Sequence, residues 1–200
     1  MALDTLKSVK SAGYGDVRVA MTLLPENIGE VYDVYRLATE LGVEFTVTAA
    51  HNSDIYFGKS DNVILNPDDI SAHLNKVIDS LLRSKRMKDW LRAYHTKGLA
   101  DRKIRDTLRH RCEAGKRYFF LAPNGDVYPC NVLDQRIGGI TQVNDFCDLW
   151  PKEKHLEVRR KVKSCRRDCW MICNTRSLMM AHPVNVVSWV IRNKASRMFK

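Results

Sequence analysis

The sequence predicts an α/β fold, in which an incomplete βα barrel is followed by a helical segment and a small cysteine-rich α+β domain with a β-hairpin. Three observations support this prediction. Helical and strand-like segments alternate over residues 1–50, a long helical stretch follows, and all six cysteines lie within residues 112–173. We therefore place the predicted domains at residues 1–66, 67–111 and 112–200, with a C-terminal helix in the last one.

The first domain is predicted to contain two parallel strands. The apolar runs "DVRVAMTLL" at 16–24 and "VEFTVTAA" at 43–50 are rich in strand-forming residues. Between them, "PENIGEVYDVYRLATELG" has apolar residues at helical spacing and ends at Gly42. A strand, a crossover helix and a second strand form a right-handed parallel unit, as in an α/β sheet or barrel. Two strands cannot close a barrel, so we expect only a partial one.

The loop after the second predicted strand is a candidate ligand site. It reads "HNSDIYFGKSDN" at 51–62, which is polar and contains two aromatic residues and a glycine. Ligands of parallel α/β folds bind at the carboxyl ends of the strands. The candidate lining residues are His51, Asn52, Ser53 and Tyr56. An ordinary polar βα loop is the equally compatible alternative.

The composition, with 44% apolar and 28% charged residues, is that of a globular protein. No run of eighteen apolar residues occurs, and the N-terminus "MALDTLKSVK" lacks the apolar core of a signal peptide. We therefore expect a cytoplasmic protein without a membrane partner. In a reducing compartment, clustered cysteines more often bind metal or carry redox chemistry than form disulfides.

The net charge of +10 is concentrated in two segments. Residues 83–117 hold thirteen Lys and Arg against four acids, and residues 152–167 hold eight against two. Such runs can bind the phosphates of nucleic acids. Helices with basic solvent faces are the preferred interpretation of the first run, because only Trp90 and Tyr94 are available there for stacking on bases. A nucleic-acid partner is therefore not expected.

A β-hairpin is predicted between the first two cysteines. Residues 118–122 and 126–128 are strand-like and flank Pro-Asn-Gly, and Asn124-Gly125 predicts a type I′ turn. Cys112 and Cys130 lie near the outer ends of this hairpin, so antiparallel pairing can bring them to one site.

Three further cysteines lie in "CRRDCWMIC" at 165–173, at positions i, i+4 and i+8. On a helix this spacing places Cys165, Cys169 and Cys173 along one face. Two of them together with the hairpin pair make a set of four thiolates, which suits tetrahedral zinc or an iron–sulfur cluster. Spacing alone leaves both open. Cys147, between Phe146 and Leu149, is expected to be a small apolar residue of the core.

These motifs together resemble a known family. "CEAGKRYFFLAPNGDVYPC", followed by "IGGI", "DLW" and "CRRDCWMIC", resembles the auxiliary cluster domain, of SPASM or the shorter twitch type, of radical S-adenosylmethionine (radical SAM) enzymes. The preceding βα segments look like the later units of the partial barrel of that family. The resemblance implies a [4Fe–4S] cluster held by four of five cysteines, namely Cys112, Cys130, Cys165, Cys169 and Cys173. It also implies that Asn52 and Ser53 contact S-adenosylmethionine in a complete enzyme.

The chain departs from this family in one respect. The Cys-x₃-Cys-x₂-Cys motif of the cluster that cleaves S-adenosylmethionine is absent from the sequence. The resemblance therefore implies the C-terminal portion of a radical SAM enzyme, unable to generate the radical alone. Its expected partners are the missing N-terminal half of the barrel, encoded upstream or supplied by another chain, and a reductant such as flavodoxin or ferredoxin. The auxiliary cluster would relay electrons or bind substrate.

The alternative from another functional class is a zinc-stabilised Cys₄ module, non-enzymatic, whose basic surface binds nucleic acid. The C-terminal segment also allows two interpretations. The tail "HPVNVVSWVIRNKASRMFK" has apolar residues at helical spacing and could lie on a membrane surface. We favour a final helix that packs Trp189 on the cysteine-rich domain.

Overall fold

Two compact units make up the fold. The computed structural model describes residues 2–56, 58, 61, 65, 67–101, 104, 112–167 and 169–198. The first unit comprises the described residues within 1–50, 64–102 and 184–200. The second unit comprises those within 51–63 and 103–183.

The first unit contains the predicted parallel strands. Helix α1 (Ala2–Ser11) precedes β1 (Arg18–Leu23), and β2 (Glu44–Ala49) pairs with β1 in parallel, from Arg18 opposite Glu44 to Leu23 opposite Ala49. A 3₁₀ turn (Ile28–Glu30) and α2 (Val31–Glu40) connect the strands. Gly42 has a φ of +64° just after α2, which is the predicted helix-terminating conformation. Within the described residues this sheet has two strands.

Two long helices follow the sheet in the first unit, and the second of them packs against β2. Helix α3 (Pro67–Arg83) and α4 (Met87–Ala100) follow one another closely. The rest of the predicted helical segment, residues 102–103 and 105–111, lies outside the described residues. No helix in the described ranges has both the length and the apolar character needed to cross a membrane. The core of this unit is formed by Leu23, Val31, Val47, Ile70, Leu74, Val77 and Leu82.

Glu44 explains part of the basic run of residues 83–117. Its carboxylate is buried, with 7% of the side chain exposed, and it forms ion pairs with Arg18, Arg86, Lys88 and Arg92. Burial favours the neutral acid, but the hydrogen bond from Arg18 and the charges of Arg92 and Lys88 outweigh it, so that the pKa of Glu44 is lowered. Glu44 lies on β2, and it is joined to the α4 region by Arg86, Lys88 and Arg92.

The C-terminal helix packs in the first unit. Helix α7 (Pro183–Met198) buries Val186 and Val190, and its Trp189 ring meets Tyr94 edge to face, with centroids 5.3 Å apart. Lys194 Nζ donates to the carbonyl oxygen of Leu82 at 2.6 Å. This differs from the predicted grouping of the helix with the cysteine-rich domain, because its buried face meets the α3–α4 pair.

The second unit is built on a small antiparallel sheet. Strand β4 (Asp126–Tyr128) lies between β3 (Phe120–Leu121) and β5 (Gly138–Gly139). Helix α5 (Lys152–Ser164) and α6 (Ile172–Ala181) follow, after 3₁₀ turns at Ile140–Gln142 and Phe146–Leu149. The buried core of this unit comprises Ala114, Val127, Cys130, Val132, Ile137, Leu149, Val158, Val162 and Met171.

The hairpin is present, but its predicted turn type is wrong. The N–H of Gly125 donates to the carbonyl oxygen of Ala122 at 2.9 Å, so Pro123 and Asn124 are the central residues of the turn. A type I′ turn needs positive φ at both central residues, whereas the only positive φ in this loop is that of Gly125, at +86°. Proline fixes φ near −65°, which favours a type I turn closed by a glycine.

Candidate metal centre

Four cysteines line one cavity in the second unit. Cys112 and Cys130 come from the two ends of the hairpin region, and Cys165 and Cys169 from the segment after α5. The remaining lining residues are Ala114, Tyr118, Val132, Leu133, Val162, Arg167 and Met171. The structure therefore brings the two predicted pairs of cysteines together, in surroundings that are mostly apolar.

Cys112 is positioned through its backbone. Arg159 Nη1, on α5, donates to the carbonyl oxygens of Cys112 at 3.2 Å and Ala114 at 2.9 Å. The hydroxyl of Tyr118 lies 3.8 Å from Cys112 Sγ, which is within hydrogen-bond range for sulfur. Neither Arg159 nor Tyr118 was predicted as a site residue, and no motif in the sequence distinguishes them from other arginines and tyrosines.

Cys130 is held by the chain that follows it. Its side chain is buried, and its Sγ accepts a hydrogen bond from the backbone N–H of Leu133 at 3.2 Å. Burial raises the pKa of the Cys130 thiol, and backbone N–H groups of Val132 and Leu133 oppose that rise. Such N–H groups stabilise negative charge on sulfur, so this position suits a thiolate ligand.

The prediction that Cys165, Cys169 and Cys173 share one helix face is wrong. Helix α5 ends at Ser164, so Cys165 is its C-cap, Cys169 lies in an irregular segment, and Cys173 is the second residue of α6. A helix would space successive thiols by about 6 Å along its axis. Trp170 and Met171 are buried, and both Cys165 and Cys169 line the cavity.

The five cysteines are close enough to influence one another's pKa values. Burial is the largest cause that raises the pKa of Cys169, to about 12, and the other four cysteines of the set add to it. Cys173 is exposed as a residue, but its sulfur is partly shielded from water; this burial raises the pKa of Cys173, and Cys112 contributes to the rise. Several thiolates crowded in an apolar cavity are unfavourable unless a positive centre compensates their charge. This is the electrostatic condition that a bound metal centre relieves.

Four thiolate ligands suit either a zinc ion or an iron–sulfur cluster. Among the described residues, no group of three or more His, Cys, Asp or Glu side chains is placed to hold a metal ion. Around zinc the sulfurs would stand about 3.8 Å apart, as Zn–S bonds of about 2.3 Å in a tetrahedron require. In a [4Fe–4S] cluster each thiolate binds a different iron, so the sulfurs stand farther apart. Four soft thiolates around an apolar cavity are ligands of the type that both centres use.

Cys147 lies elsewhere, and its predicted place in the core is wrong. It is exposed, in the 3₁₀ turn after Asp145, whose carboxylate accepts a hydrogen bond from the Cys147 N–H at 2.8 Å. The turn directs Leu149, and not Cys147, into the core of the unit. The flanking apolar residues Phe146 and Leu149 were therefore a misleading sign of burial.

The loop after β2 is anchored within the second unit. Ser53 is buried, and its hydroxyl donates to the carbonyl oxygen of Asn131 and accepts from the N–H of Tyr56. The Tyr56 ring meets Phe120 edge to face at 5.2 Å. The hydroxyl of Ser53 is thus used in holding the loop. The residues His51, Asn52, Ser53 and Tyr56 are not among those that line the cysteine cavity.

Comparison with known proteins agrees with this geometry. Residues 112–173 match the family model of SPASM, an iron-sulfur cluster-binding domain. The SPASM segment begins at Cys112, ends at Cys173 and contains all four cysteines of the cavity. The match indicates iron–sulfur binding by this third of the chain. No curated protein and no solved structure matches the chain.

Proposed function

We propose that the SPASM segment binds one [4Fe–4S] cluster through Cys112, Cys130, Cys165 and Cys169. The observation that carries this assignment is the convergence of these four side chains on one cavity, inside the range that matches the SPASM family. The two thiols from the hairpin region and the two after α5 are brought together by the fold, which local sequence alone does not require.

Cys173 is the fifth cysteine and is assigned as the spare one. It is exposed and is not among the residues that line the cavity, although its charge contributes to the raised pKa of Cys169. Cys147 is exposed in a separate turn. Both therefore serve as natural controls for the ligand set.

When bound, the cluster supplies one-electron transfer or an iron site for substrate. The residues of the chain tune that chemistry. The N–H of Leu133 and the hydroxyl of Tyr118 offer hydrogen bonds to the sulfurs of Cys130 and Cys112, and Val132, Val162 and Met171 limit the access of water. Hydrogen bonds to sulfur and exclusion of solvent are two of the factors that set cluster potentials.

We further propose that the chain acts as the cluster-bearing C-terminal portion of a radical SAM enzyme. The resemblance of its motifs supports this, together with the parallel pairing of β1 and β2. The remaining barrel strands, the S-adenosylmethionine site and the radical-generating cluster would come from an upstream segment or a partner chain. In that assembly Asn52 would lie near S-adenosylmethionine, and a flavodoxin or ferredoxin would supply electrons.

Anaerobic purification of the chain tests the cluster directly. We expect a brown protein with about four irons and four sulfides per chain after reconstitution. A colourless protein that binds one zinc ion would overturn the cluster assignment and favour the zinc-stabilised alternative. In that case, binding of a single-stranded oligonucleotide with strong salt dependence would support the nucleic-acid function.

Alanine substitutions identify the ligands. We expect C112A, C130A, C165A and C169A each to lower iron content severely, whereas C173A and C147A retain it. Loss of the cluster in C173A with retention in C165A or C169A would overturn the ligand set but leave cluster binding in place. Retention of full iron content in all four ligand variants would place the cluster elsewhere.

A further inference from the structure

A second cavity opens on the surface of the second unit. Its volume is about 320 Å³, and it is lined by the turn residues 115–117 and by Tyr118, Phe119, Phe146, Trp150 and His155. Tyr118 lines both this cavity and the cysteine cavity. No part of the assigned cluster function uses the other residues that form its wall.

One wall of this cavity is aromatic. The rings of Phe119 and Phe146 lie 5.0 Å apart, and each lies 6.2 Å from the ring of Trp150. Phe119 is 46% exposed and Phe146 is 42% exposed, so part of each ring remains accessible to solvent. Clustered exposed apolar rings are uncommon on a protein surface and mark interaction sites. Flat ring faces of this kind accept another planar ring by stacking.

The rim of the cavity favours an anion. Lys116 Nζ and Arg117 Nε lie 3.3 Å and 3.6 Å from the same oxygen of Glu113, Oε2. Two cations thus share one carboxylate, which leaves one positive charge in excess. His155 accepts a hydrogen bond at Nδ1 from Trp150 Nε1 at 3.0 Å, so the neutral imidazole carries its proton on Nε2. The rim therefore combines a positive charge with an N–H donor.

The volume limits what this site can hold. Small-molecule pockets in proteins run from about 300 to 1,000 Å³, and this cavity lies at the lower end of that range. A single ring system with a short substituent fits, whereas a folded segment of another protein does not. We propose that this cavity binds a small planar aromatic ligand that carries an anionic group, either phosphate or carboxylate. The ring would stack on Phe119 and Phe146, and the anion would face Lys116 and Arg117.

Four probes separate the ring from the charge. The full chain, reconstituted with iron and sulfide, is titrated at low salt by calorimetry with adenosine monophosphate, phenylacetate, adenosine and inorganic phosphate. We expect adenosine monophosphate or phenylacetate to bind at least about tenfold more tightly than adenosine or phosphate. Tighter binding of adenosine monophosphate than of adenosine identifies a phosphate ligand, and tighter binding of phenylacetate than of adenosine and inorganic phosphate identifies a carboxylate ligand. Equal binding of adenosine and adenosine monophosphate together with phenylacetate that binds no more tightly than inorganic phosphate, or no binding of any probe, would overturn the assignment.

Two variants with matched controls locate the binding. We expect F146L to weaken binding about fivefold, because a stacking ring is lost, and K116Q to weaken it about threefold. The controls Y14L, at an exposed ring in the first unit, and K161Q, at an exposed lysine of α5, should remain within about twofold of the wild type. Wild-type affinity in both F146L and K116Q would overturn the assignment. Because Lys116 is exposed, K116Q decides the question if F146L fails to fold.

Discussion

One guanidinium nitrogen of Arg159, Nη1, donates a hydrogen bond to the carbonyl oxygen of Cys112 at 3.2 Å. Arg159 lies on α5, the helix that ends immediately before Cys165. A single side chain therefore ties the segment that begins at the first cysteine of the cavity to the helix that delivers the third. The positions of two proposed ligands are coupled through this contact.

We expect R159Q to lower the free energy of unfolding by about 2 kcal/mol, because hydrogen bonds from a charged donor to Cys112 and Ala114 are lost. Iron content after reconstitution should also fall. The matched control is R160Q, at the exposed neighbouring arginine, where a change within about 0.5 kcal/mol is expected. Urea unfolding and iron analysis of both variants check this. Equal stability of R159Q and R160Q would show that the contact does not hold the site.

Gly115 is required by the backbone beside Cys112. Its φ is +66°, and an added Cβ would lie 2.8 Å from Val158 Cγ1, which belongs to a fully buried, stiff side chain. We expect G115A to destabilise the second unit by about 3 kcal/mol.

The control for Gly115 is G125A. Gly125 also has a positive φ, +86°, but an added Cβ would approach no atom closer than 3.3 Å. Its cost should be about 1 kcal/mol, from the backbone alone. Urea unfolding of the two variants separates the free-energy cost of the steric clash from that of the backbone conformation. Equal losses would mean that Val158 moves aside without cost.

His95 makes the stability of the first unit depend on pH. Burial lowers the pKa of His95 to about 4, against the opposing effect of its hydrogen bond to the carbonyl oxygen of Val47. The unfolded chain binds a proton near pH 6.5. Between these values the unfolded state holds more protons, so stability falls as the pH is lowered from about 6.5 to 4, by about 3 kcal/mol in all.

Hydrogen exchange of β2 and α4 amides at several pH values measures this dependence. We expect it to be shallower in H95Q, because glutamine cannot take up the proton. H73Q, at an exposed histidine of α3, is the control and should keep the wild-type slope. An unchanged slope in H95Q would assign the acid sensitivity to another group.

Tyr118 is expected to tune the proposed cluster. A thiolate bound to iron has no proton, so the Tyr118 hydroxyl would be the donor to Cys112 Sγ. Its loss in Y118F should make the reduction potential more negative, since donation to sulfur favours the reduced state. Y128F, at a tyrosine outside the cavity lining, is the control. Spectroelectrochemical titration at equal iron content checks the shift, and identical potentials in Y118F and wild type would contradict it.

Local patterns in the sequence were sufficient for several features of the fold. The alternation of strand and helix segments gave the parallel pairing of β1 and β2, because residue periodicity reports which faces are buried. Pro123, Asn124 and Gly125 located the hairpin, although the turn type was missed because proline constrains the turn more strongly than Asn-Gly. The number and spacing of the cysteines pointed to a metal centre and to the family motif of residues 112–173.

Only the tertiary structure decided which side chains meet. It ends α5 at Ser164 and so turns Cys165 and Cys169 into the cavity, leaves Cys173 and Cys147 exposed, and packs α7 in the first unit. It also places Arg159 on the backbone of Cys112. The physical reason is that spacing along the chain fixes only neighbours within a turn or two. Contacts between distant segments depend on which apolar surfaces are buried together, as with Met171 in the core beside the cysteines.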